Sequence, residues 1–252
     1  MVEASRVAVT LAYLGGAFAG WQRQPRRATV QAALEAALAK LYGGPVPAVG
    51  AGRTDAGVHA TGQVAHFDPP LVVPLRGIAR ALNAALPPEV RVLRARRVPP
   101  TFHARRSARG KRYRYRLACG PTLPPWEALR RAHVPHSLDA ARMAAALPAV
   151  VGEHDFAAFA LSGHAGRGRR GTSRIVTAAS LRTRGRRFDI VLEGDGFLRG
   201  MVRRIAGALV EIGRGAREAQ WLADLLLDSA TRPPAPTAPA HGLTLERVFY
   251  DR

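Results

Sequence analysis

Apolar and polar residues follow two periods along the chain, and these periods separate strands from helices. In residues 6–13, apolar side chains occupy every second position, which is the pattern of a half-buried strand. Residues 29–42 instead place apolar side chains three and four apart, behind Thr29, a residue type that caps helix N-termini. The chain is therefore predicted to open with a strand followed by a helix.

The same periods predict the order β-α-β-β-α-β twice. The first set comprises strand 6–13, helix 29–42, strands 46–52 and 61–67, helix 74–86 and strand 90–98. The second comprises strand 111–118, a helix near 138–147, strands 175–183 and 187–194, helix 198–212, an extra helix at 218–227 and strand 243–250. This order is typical of ferredoxin-like domains. We predict an α+β fold of two ferredoxin-like halves, 1–105 and 106–252, with a cleft between them.

Two stretches break this pattern. Residues 161–174, LSGHAGRGRRGTSR, combine glycine with arginine and predict a basic loop, whereas residues 232–239, RPPAPTAP, are a proline-rich connector. The loop contains GRGRRG, which matches the dinucleotide-binding pattern G-x-G-x-x-G. No predicted strand leads into it and no helix follows, so the match does not indicate a nucleotide site.

The charge balance indicates a polyanionic partner. The chain has 38 basic and 18 acidic residues, a formal net charge of +20, and its only lysines are Lys40 and Lys111. Codon bias would explain arginine in place of lysine, but it would not explain the scarcity of acids. Such an excess repels itself in a compact fold unless a polyanion is bound, and nucleic acid is the obvious candidate.

Cysteine usage and hydropathy bear on the cellular compartment of the protein. Cys119 is the only cysteine, which excludes an internal disulfide and a cysteine zinc cluster and fits a reducing cytoplasm. No apolar run approaches the length that spans a bilayer. Residues 7–19 resemble the core of a signal peptide, but their alternation favours a strand. We expect a cytoplasmic protein with no membrane partner.

Residues 51–60, AGRTDAGVHA, are the first candidate site. They bring a guanidinium, a hydroxyl, a carboxylate and an imidazole into one short stretch: Arg53, Thr54, Asp55 and His59. The glycines are typical of a turn, but a turn needs none of these four side chains. His59 is interpreted as structural, hydrogen-bonded to the loop that carries Asp55.

Two further segments carry candidate side chains. The predicted strand at 111–118 separates aromatic and apolar residues from arginines on opposite faces: Tyr113, Tyr115 and Leu117 against Arg112, Arg114 and Arg116. The tyrosines are either core residues or a surface on which a displaced base stacks. In the helix at 198–212, Arg199 and Arg203 share a face near the N-terminus, where the helix dipole favours an anion beside them.

At this point the sequence resembles the tRNA pseudouridine synthase A family, in the family's order from about residue 6 to residue 250. The segments that carry the resemblance are FAGWQRQP, TVQ, AGRTDAGVHATGQVAHF, FHARRSARGKRYRY, FLRGMVRRIAG and GLTLERVFY, and R-T-D-x-G-V-H is the most specific of them. The resemblance implies a homodimer that isomerises uridine to pseudouridine at positions 38, 39 and 40 of the tRNA anticodon stem-loop. It further implies ferredoxin-like halves that share a continuous antiparallel sheet with a central cleft, and neither metal nor cofactor.

The resemblance also assigns roles to individual residues. Asp55 matches the catalytic aspartate and Tyr113 the tyrosine that contacts the base. Arg203 matches the arginine paired with the aspartate, Leu243 an apolar residue lining the pocket, and Arg53 the arginine that fills the gap left by a flipped nucleotide. The basic loop at 161–174 departs from the family's sequence. The attack of Asp55 at C1′, its addition to C6 and a glycal route all stay open.

Two other functions compete with this prediction. A non-catalytic RNA-binding protein of two RRM-like halves would need RNP motifs, and KRYRYRLA lacks their glycines and final aromatics. A hydrolase would pair Asp55 with Asp68 or His59 to activate water, and the spacing offers no argument for a second acid. We therefore predict an RNA-modifying isomerase.

Overall fold

The computed structural model describes residues 6–161, 171–227 and 235–251. They form two compact units, the first from residues up to Arg109 together with the segment that begins at Leu245, the second from Gly110–Thr244. The sequence-based division at 105/106 placed the last strand in the second half, whereas by packing most of it belongs to the first unit. Residues 162–170 of the predicted basic loop and residues 228–234 lie outside the described part of the chain.

Ten strands and six α-helices are numbered along the described residues. The strands are β1 (Val7–Tyr13), β2 (Val49–Gly50), β3 (His59–Phe67), β4 (Val90–Arg97), β5 (Gly110–Cys119), β6 (Ala132–Val134), β7 (Gly152–Asp155), β8 (Ser173–Arg184), β9 (Arg187–Gly194) and β10 (Leu243–Phe249). The helices are α1 (Val30–Tyr42), α2 (Leu75–Ala85), α3 (Pro125–Ala128), α4 (Ala140–Ala146), α5 (Met201–Gly213) and α6 (Gln220–Leu227). The predicted α+β class is confirmed.

The sheet of the first unit has the strand order of a ferredoxin-like half. β1 lies between β4 and β3 and is antiparallel to both, and β3 also pairs with β2 and β10. The alternation predicted for the first strand appears as a row of buried side chains that ends at Tyr13. Leu34 and Leu38 of α1 and Ile78 and Leu82 of α2 are fully buried and complete the core of this unit.

In the second unit, β5, β9, β8 and β7 follow one another as antiparallel neighbours, and the short β6 runs parallel to β5. Helices α4 and α5 pack against each other. The core combines one face of the sheet with the apolar stripe of α5, in which Ile205, Leu209 and Ile212 are fully buried. The sheets of both units are thus mostly antiparallel.

Local chemistry explains where several elements begin. The Oγ1 of Thr29 accepts a hydrogen bond from the Ala32 amide at 3.3 Å, so Thr29 caps α1 as predicted. The helix predicted from residue 198 begins only at Met201, because Gly200 precedes it with a φ of +75°, a left-handed conformation outside a helix. Arg199 therefore lies before α5, and the helical face predicted for Arg199 and Arg203 was wrong.

None of the described helices is long and apolar enough to cross a membrane. Within the same residues, no cluster of three or more histidine, cysteine or acidic side chains is arranged to hold a metal ion.

Candidate active site

The loop at 51–58 connects β2 to β3, and Thr54 anchors it at its centre. The Thr54 hydroxyl lies 2.9 Å from the Tyr13 hydroxyl, and the Thr54 carbonyl accepts a hydrogen bond of 3.1 Å from the Trp21 amide. The side-chain amide of Gln63 donates to the Gly52 carbonyl at 2.9 Å. Thr54, Tyr13 and Gln63 are all buried, so the residues on both sides of Arg53 are fixed from inside the unit.

The Tyr13 phenol stays protonated in this environment. Burial raises the pKa of Tyr13 to about 12, against the opposing effect of hydrogen bonds from Thr54 and Gln63. A neutral hydroxyl both donates and accepts, so it can bond to the Thr54 hydroxyl without placing a charge in the core. The anchor of the loop is therefore independent of pH over the physiological range.

Glycines allow a second segment to pack tightly on this loop. Gly20 has a φ of +96°, and a Cβ placed there would lie 2.5 Å from the Thr54 carbonyl oxygen. At Gly15, a Cβ would lie 2.1 Å from the Val58 carbonyl oxygen. Both contacts are shorter than any side chain tolerates, so glycine is required at each position. The segment that follows β1 and the Asp55 loop thus fit together backbone to backbone.

The buried His59 belongs to the same contact. Its Nδ1 accepts a hydrogen bond of 3.0 Å from the amide of Gly15, which lies in the turn after β1. The proton of the neutral ring is consequently on Nε2. The predicted structural role is supported, but this bond joins His59 to the neighbouring turn.

Asp55 follows Thr54 directly and is half-buried. Its carbonyl oxygen accepts a hydrogen bond of 3.2 Å from the Val58 amide, which closes the turn, and Gly57 takes a φ of +80° within it. The carboxylate is therefore carried on a short turn whose first residue is anchored in the core. Such an attachment holds a reactive group with little freedom.

Arg53 is exposed, and a chain of polar side chains supports it. Its Nε donates to Gln22 Oε1 at 3.2 Å, and Gln22 donates in turn to Gln31 Oε1 at 3.0 Å. Gln31 then donates to Glu35 at 3.0 Å, and Glu35 also accepts from Arg23 at 2.8 Å. The guanidinium of Arg53 is thereby oriented by α1 while it stays accessible to solvent.

In the second unit, Tyr113 lies on β5 and is 7% exposed. Its ring meets the ring of Phe197 edge to face, with centroids 5.1 Å apart and an interplanar angle of 79°. Phe197 is half-buried and precedes α5. The sequence did not predict this ring pair, because Phe197 lies 84 residues further along the chain.

Tyr115, two residues further on the same face, is a core residue. It is fully buried and donates a hydrogen bond of 2.9 Å to the Pro239 carbonyl, and burial raises the pKa of Tyr115 well above its usual range despite the nearby positive charge of Arg203. The Nε of Arg203 donates to the Ala238 carbonyl at 2.8 Å. Of the two roles considered for the tyrosines, core residue or stacking surface, Tyr115 therefore has the first.

Leu243 is the first residue of β10 and is buried. The residue before it, Gly242, packs against Tyr115 so closely that a Cβ there would lie 2.7 Å from the phenol ring. Leu243, Tyr115 and Arg203 thus belong to one neighbourhood of the second unit.

The arginines on the opposite face of β5 are held by acids of β9. Arg112 forms an ion pair of 2.7 Å with Glu193, and Arg114 one of 3.2 Å with Asp189. Asp189 also accepts from Arg131 at 2.9 Å. These arginines stabilise the sheet, so the predicted separation of the two faces is confirmed.

Five residues were predicted for the site, and the structure places them in both units. The first unit carries Asp55 and Arg53, and the second carries Tyr113, Arg203 and Leu243. Asp68, the acid considered as a hydrolytic partner, accepts from Nε and Nη2 of Arg6 at 2.7 and 2.8 Å. Thr54 was among the candidate residues of the loop, but its partner Tyr13 and the neighbouring Gln63 were not predicted, because these contacts join residues 41 to 50 positions apart.

Comparisons with known proteins agree with this description. A family model described as tRNA pseudouridine synthase matches residues 10–105 and 146–251. The tRNA pseudouridine synthase A of Myxococcus xanthus is 42% identical over 245 residues, which cover 97% of this chain and 92% of the relative. The tRNA pseudouridine synthase A of Frankia casuarinae is 44% identical over 254 residues, which cover 97% of this chain and 89% of the relative.

Among solved structures, a chain of the crystal structure of a Cbf5-Nop10-Gar1 complex matches with a TM-score of 0.38 and 13% identity, over 95% of this chain and 48% of that chain. The sequence matches are far stronger and run through both units. The chain therefore belongs to the tRNA pseudouridine synthase A family, isomerases that convert uridine to pseudouridine in tRNA.

Proposed function

We propose that this enzyme acts on the uridines at positions 38, 39 and 40 of the tRNA anticodon stem-loop, with Asp55 as its nucleophile. The resemblance of the AGRTDAGVHA segment to the family supports both parts of the proposal. The main structural support for Asp55 is the way its backbone is held. Asp55 directly follows Thr54, which is anchored by both its side chain and its backbone. A nucleophile must be held in place to react efficiently.

The reaction itself explains why a carboxylate suffices. The C1′–N1 bond of uridine breaks, the uracil turns, and a C1′–C5 bond forms while the C5 proton moves to solvent and N1 takes one up. Atoms and electrons balance without any oxidant or reductant. A carboxylate can assist by attack at C1′, by addition to C6 or by a glycal route.

Two other acids of the first unit, Glu35 and Asp68, have structural tasks. Glu35 accepts from Arg23, Gln31 and the Ala48 amide, and Asp68 holds Arg6. These groups tie elements together. Asp55 instead lies on a turn that is held by close backbone contact with Gly15 and Gly20, and this location favours it as the reacting acid.

Tyr113 is proposed to contact the uracil once the nucleotide has left the helix stack. Its ring lies edge to face with Phe197, and its hydroxyl is proposed to transfer a proton after glycosidic cleavage. Arg53, which is exposed and oriented by Gln22, is proposed to fill the gap left by the flipped nucleotide. Arg203 and Leu243 are proposed to take part in substrate binding, with Leu243 as an apolar residue that lines the pocket.

The working form is proposed to be a homodimer in the cytoplasm, where tRNA is the abundant polyanion that matches the net charge of +20. Analytical ultracentrifugation of the free enzyme measures the oligomeric state. A monomer that is fully active at nanomolar concentration would contradict the proposed homodimer.

The positions are tested with an unmodified tRNA transcript that has uridine at 38, 39 and 40. After incubation, pseudouridine is mapped by carbodiimide-dependent stops of reverse transcription. We expect stops at these three positions and none in a matched transcript with cytidine there. Pseudouridine formed only elsewhere in the tRNA would overturn the assignment of positions while leaving the isomerase activity intact.

A further inference from the structure

The turn between β8 and β9 carries a concentration of arginine that the described fold does not neutralise. Residues 182–187 read RTRGRR, and all six are exposed. In the antiparallel register Arg184 lies opposite Arg187, and like charges in directly opposed positions destabilise a hairpin. The hairpin therefore carries a repulsion that nothing in its own folding requires.

Nearby acids are already engaged. Glu127 of α3 accepts from Arg187 at 3.0 Å and pairs with Arg131 at 3.2 Å. Asp189 pairs with Arg131 at 2.9 Å and with Arg114 at 3.2 Å. In the described part of the chain, four arginines around this turn are left without an ion pair: Arg130, Arg182, Arg184 and Arg186.

An exposed indole lies next to these charges. Trp126 is 74% exposed and Leu129 67%, and both flank Glu127, whose bonds to Arg187 attach this segment to the hairpin. On the other side, the Cys119 amide donates to the Arg186 carbonyl at 2.9 Å, so the strand that leads into the segment is attached as well. We call Arg130, Arg182, Arg184, Arg186 and Trp126 the hairpin patch.

We propose that the hairpin patch is a second RNA-binding surface, whose arginines contact phosphates and whose Trp126 stacks on an unpaired base of the bound tRNA. The inference rests on the proposed action on tRNA. Uncompensated arginines beside an exposed aromatic ring are the combination that binds single-stranded nucleic acid, since phosphates meet the charge and any base can stack. The hairpin patch belongs to the second unit, whereas the Asp55 loop belongs to the first.

The charge of the hairpin patch favours RNA, and not a second copy of the chain, as its binding partner. In a two-fold interface the same patch lies on both subunits, so arginines would face arginines. Like charges opposed across an interface cost several kcal/mol. A polyanion is instead complementary to every cation of the hairpin patch.

The arginines are tested with the triple variant Arg182→Ala, Arg184→Ala, Arg186→Ala. The matched control is Arg76→Ala, Arg80→Ala, Arg94→Ala, which removes three exposed charges from the first unit. Binding of unmodified tRNA is measured over a range of salt. We expect the hairpin variant to bind about tenfold more weakly, with a slope of log K against log salt that is shallower by about 2–3.

The control should bind within about twofold of the parent with an unchanged slope, and the turnover of both variants at saturating tRNA should equal that of the parent. Equal losses in the two triple variants would mean that net charge alone matters, and an unchanged hairpin variant would mean that the surface does not touch RNA. Either result overturns the proposal while the sites of pseudouridine formation, mapped in the same reactions, report separately on the proposed function.

Trp126 is tested by Trp126→Ala and Trp126→Phe. Loss of one stacked base should weaken binding about tenfold in the alanine variant and far less in the phenylalanine variant. Trp21 is buried and Trp221 packs under Arg217, so quenching of tryptophan fluorescence by tRNA should depend on Trp126. Equal affinity of all three proteins, or a change of oligomeric state with unchanged tRNA affinity, would assign this surface to another role.

Discussion

Asp55 gains its position from the residue before it. Thr54 is bonded through its hydroxyl to Tyr13 and through its carbonyl to Trp21, so the backbone that enters Asp55 has little freedom. The side chain itself is only half-buried. A fixed attachment is what a nucleophile needs, and the same arrangement makes a conservative test possible.

Asp55→Asn should abolish pseudouridine formation and leave the affinity for tRNA within a few-fold of the parent. The amide has the shape of the acid but is not a nucleophile. Tritium release from C5-labelled uridine in tRNA measures the reaction. Turnover near the parental rate, with deamidation excluded by mass spectrometry, would remove Asp55 from the catalytic role.

Tyr113 and Tyr115 provide a matched pair at the same scale. Tyr113→Phe should bind tRNA normally and lose most of its activity, because the ring still stacks while the hydroxyl no longer transfers a proton. Tyr115→Phe should keep most activity but lower the free energy of unfolding by about 1–2 kcal/mol, because the Pro239 carbonyl loses its buried donor. If the two variants have the same activity, Tyr113 is a core residue as well.

At the scale of elements, the turn after β1 and the Asp55 loop pack tightly against each other. Their contact is between backbones, made possible by Gly15 and Gly20. A shift of one segment therefore displaces the other, which couples the stability of the turn to the placement of the carboxylate.

Gly20→Ala should lower the free energy of unfolding by about 2 kcal/mol or more and reduce kcat together with it. The alanine would have to adopt a φ of +96°, and its Cβ would lie 2.5 Å from the Thr54 carbonyl oxygen. Gly16→Ala is the control, since a Cβ there meets no atom within 4 Å and φ is not positive. Denaturant unfolding and the tRNA assay should separate the two variants clearly; equal behaviour would contradict the close contact.

The connector between β4 and β5, residues 98–109, leads to a prediction about pH dependence. The Ala104 amide donates to His66 Nδ1 at 3.1 Å, and the Tyr250 hydroxyl donates to the Ala104 carbonyl at 2.7 Å. Burial, and then the positive charges of Arg6 and His103, lower the pKa of His66 to about 4. The connector thus depends on a histidine that stays neutral.

Because histidine in an unfolded chain has a pKa near 6.5, only the unfolded state takes up this proton between pH 6.5 and 4. The free energy of unfolding should therefore fall as pH drops through this window, by about 2 kcal/mol at pH 5. His66→Gln should remove this part of the pH dependence, measured by urea unfolding at pH 7 and pH 5. The exposed His136→Gln serves as control, and identical pH dependence in both variants would exclude His66 as the cause.

Sequence periodicity predicted long elements well and short ones badly. Helix α1 and its cap at Thr29 follow from local spacing, and so does the two-faced strand β5. Strand β2 has only two residues, and α3, β6 and β7 went unpredicted, because three or four residues are too few for a period to appear. Such elements form because neighbouring strands and helices offer them partners.

For the candidate site, the resemblance supplied the proposed reacting residues but not the residues that support them. The acids that hold the arginines of β5 lie more than 70 residues away, and Thr54 finds Tyr13 across 41 residues. No local pattern encodes a contact of this kind. The roles of Asp55 and Tyr113 thus stay predictions from the sequence, whereas the contacts that hold these residues became visible only in the fold.

At the scale of the whole molecule, the net charge of +20 should act in opposite directions on stability and on binding. Salt screens the repulsion among the arginines, so the melting temperature of the free enzyme should rise by about 2–5 °C between about 50 and 500 mM NaCl. The same salt should weaken tRNA binding by about 10³-fold between 50 and 200 mM, if six or more phosphates are neutralised. Calorimetry and filter binding measure the two effects. A melting temperature that falls with salt would show that ion pairs outweigh repulsion.

The return of the chain at Leu245 has a consequence for synthesis on the ribosome. The second unit is continuous from Gly110 to Thr244, whereas the first waits for β10, which joins β3 and carries Tyr250 on to the Ala104 carbonyl. The half that is translated first is thus finished last, after the intervening unit has emerged and can fold. Until then β3 has an incomplete edge beside the Asp55 loop, so the first unit of a nascent chain is exposed to mispairing until β10 has emerged from the ribosome.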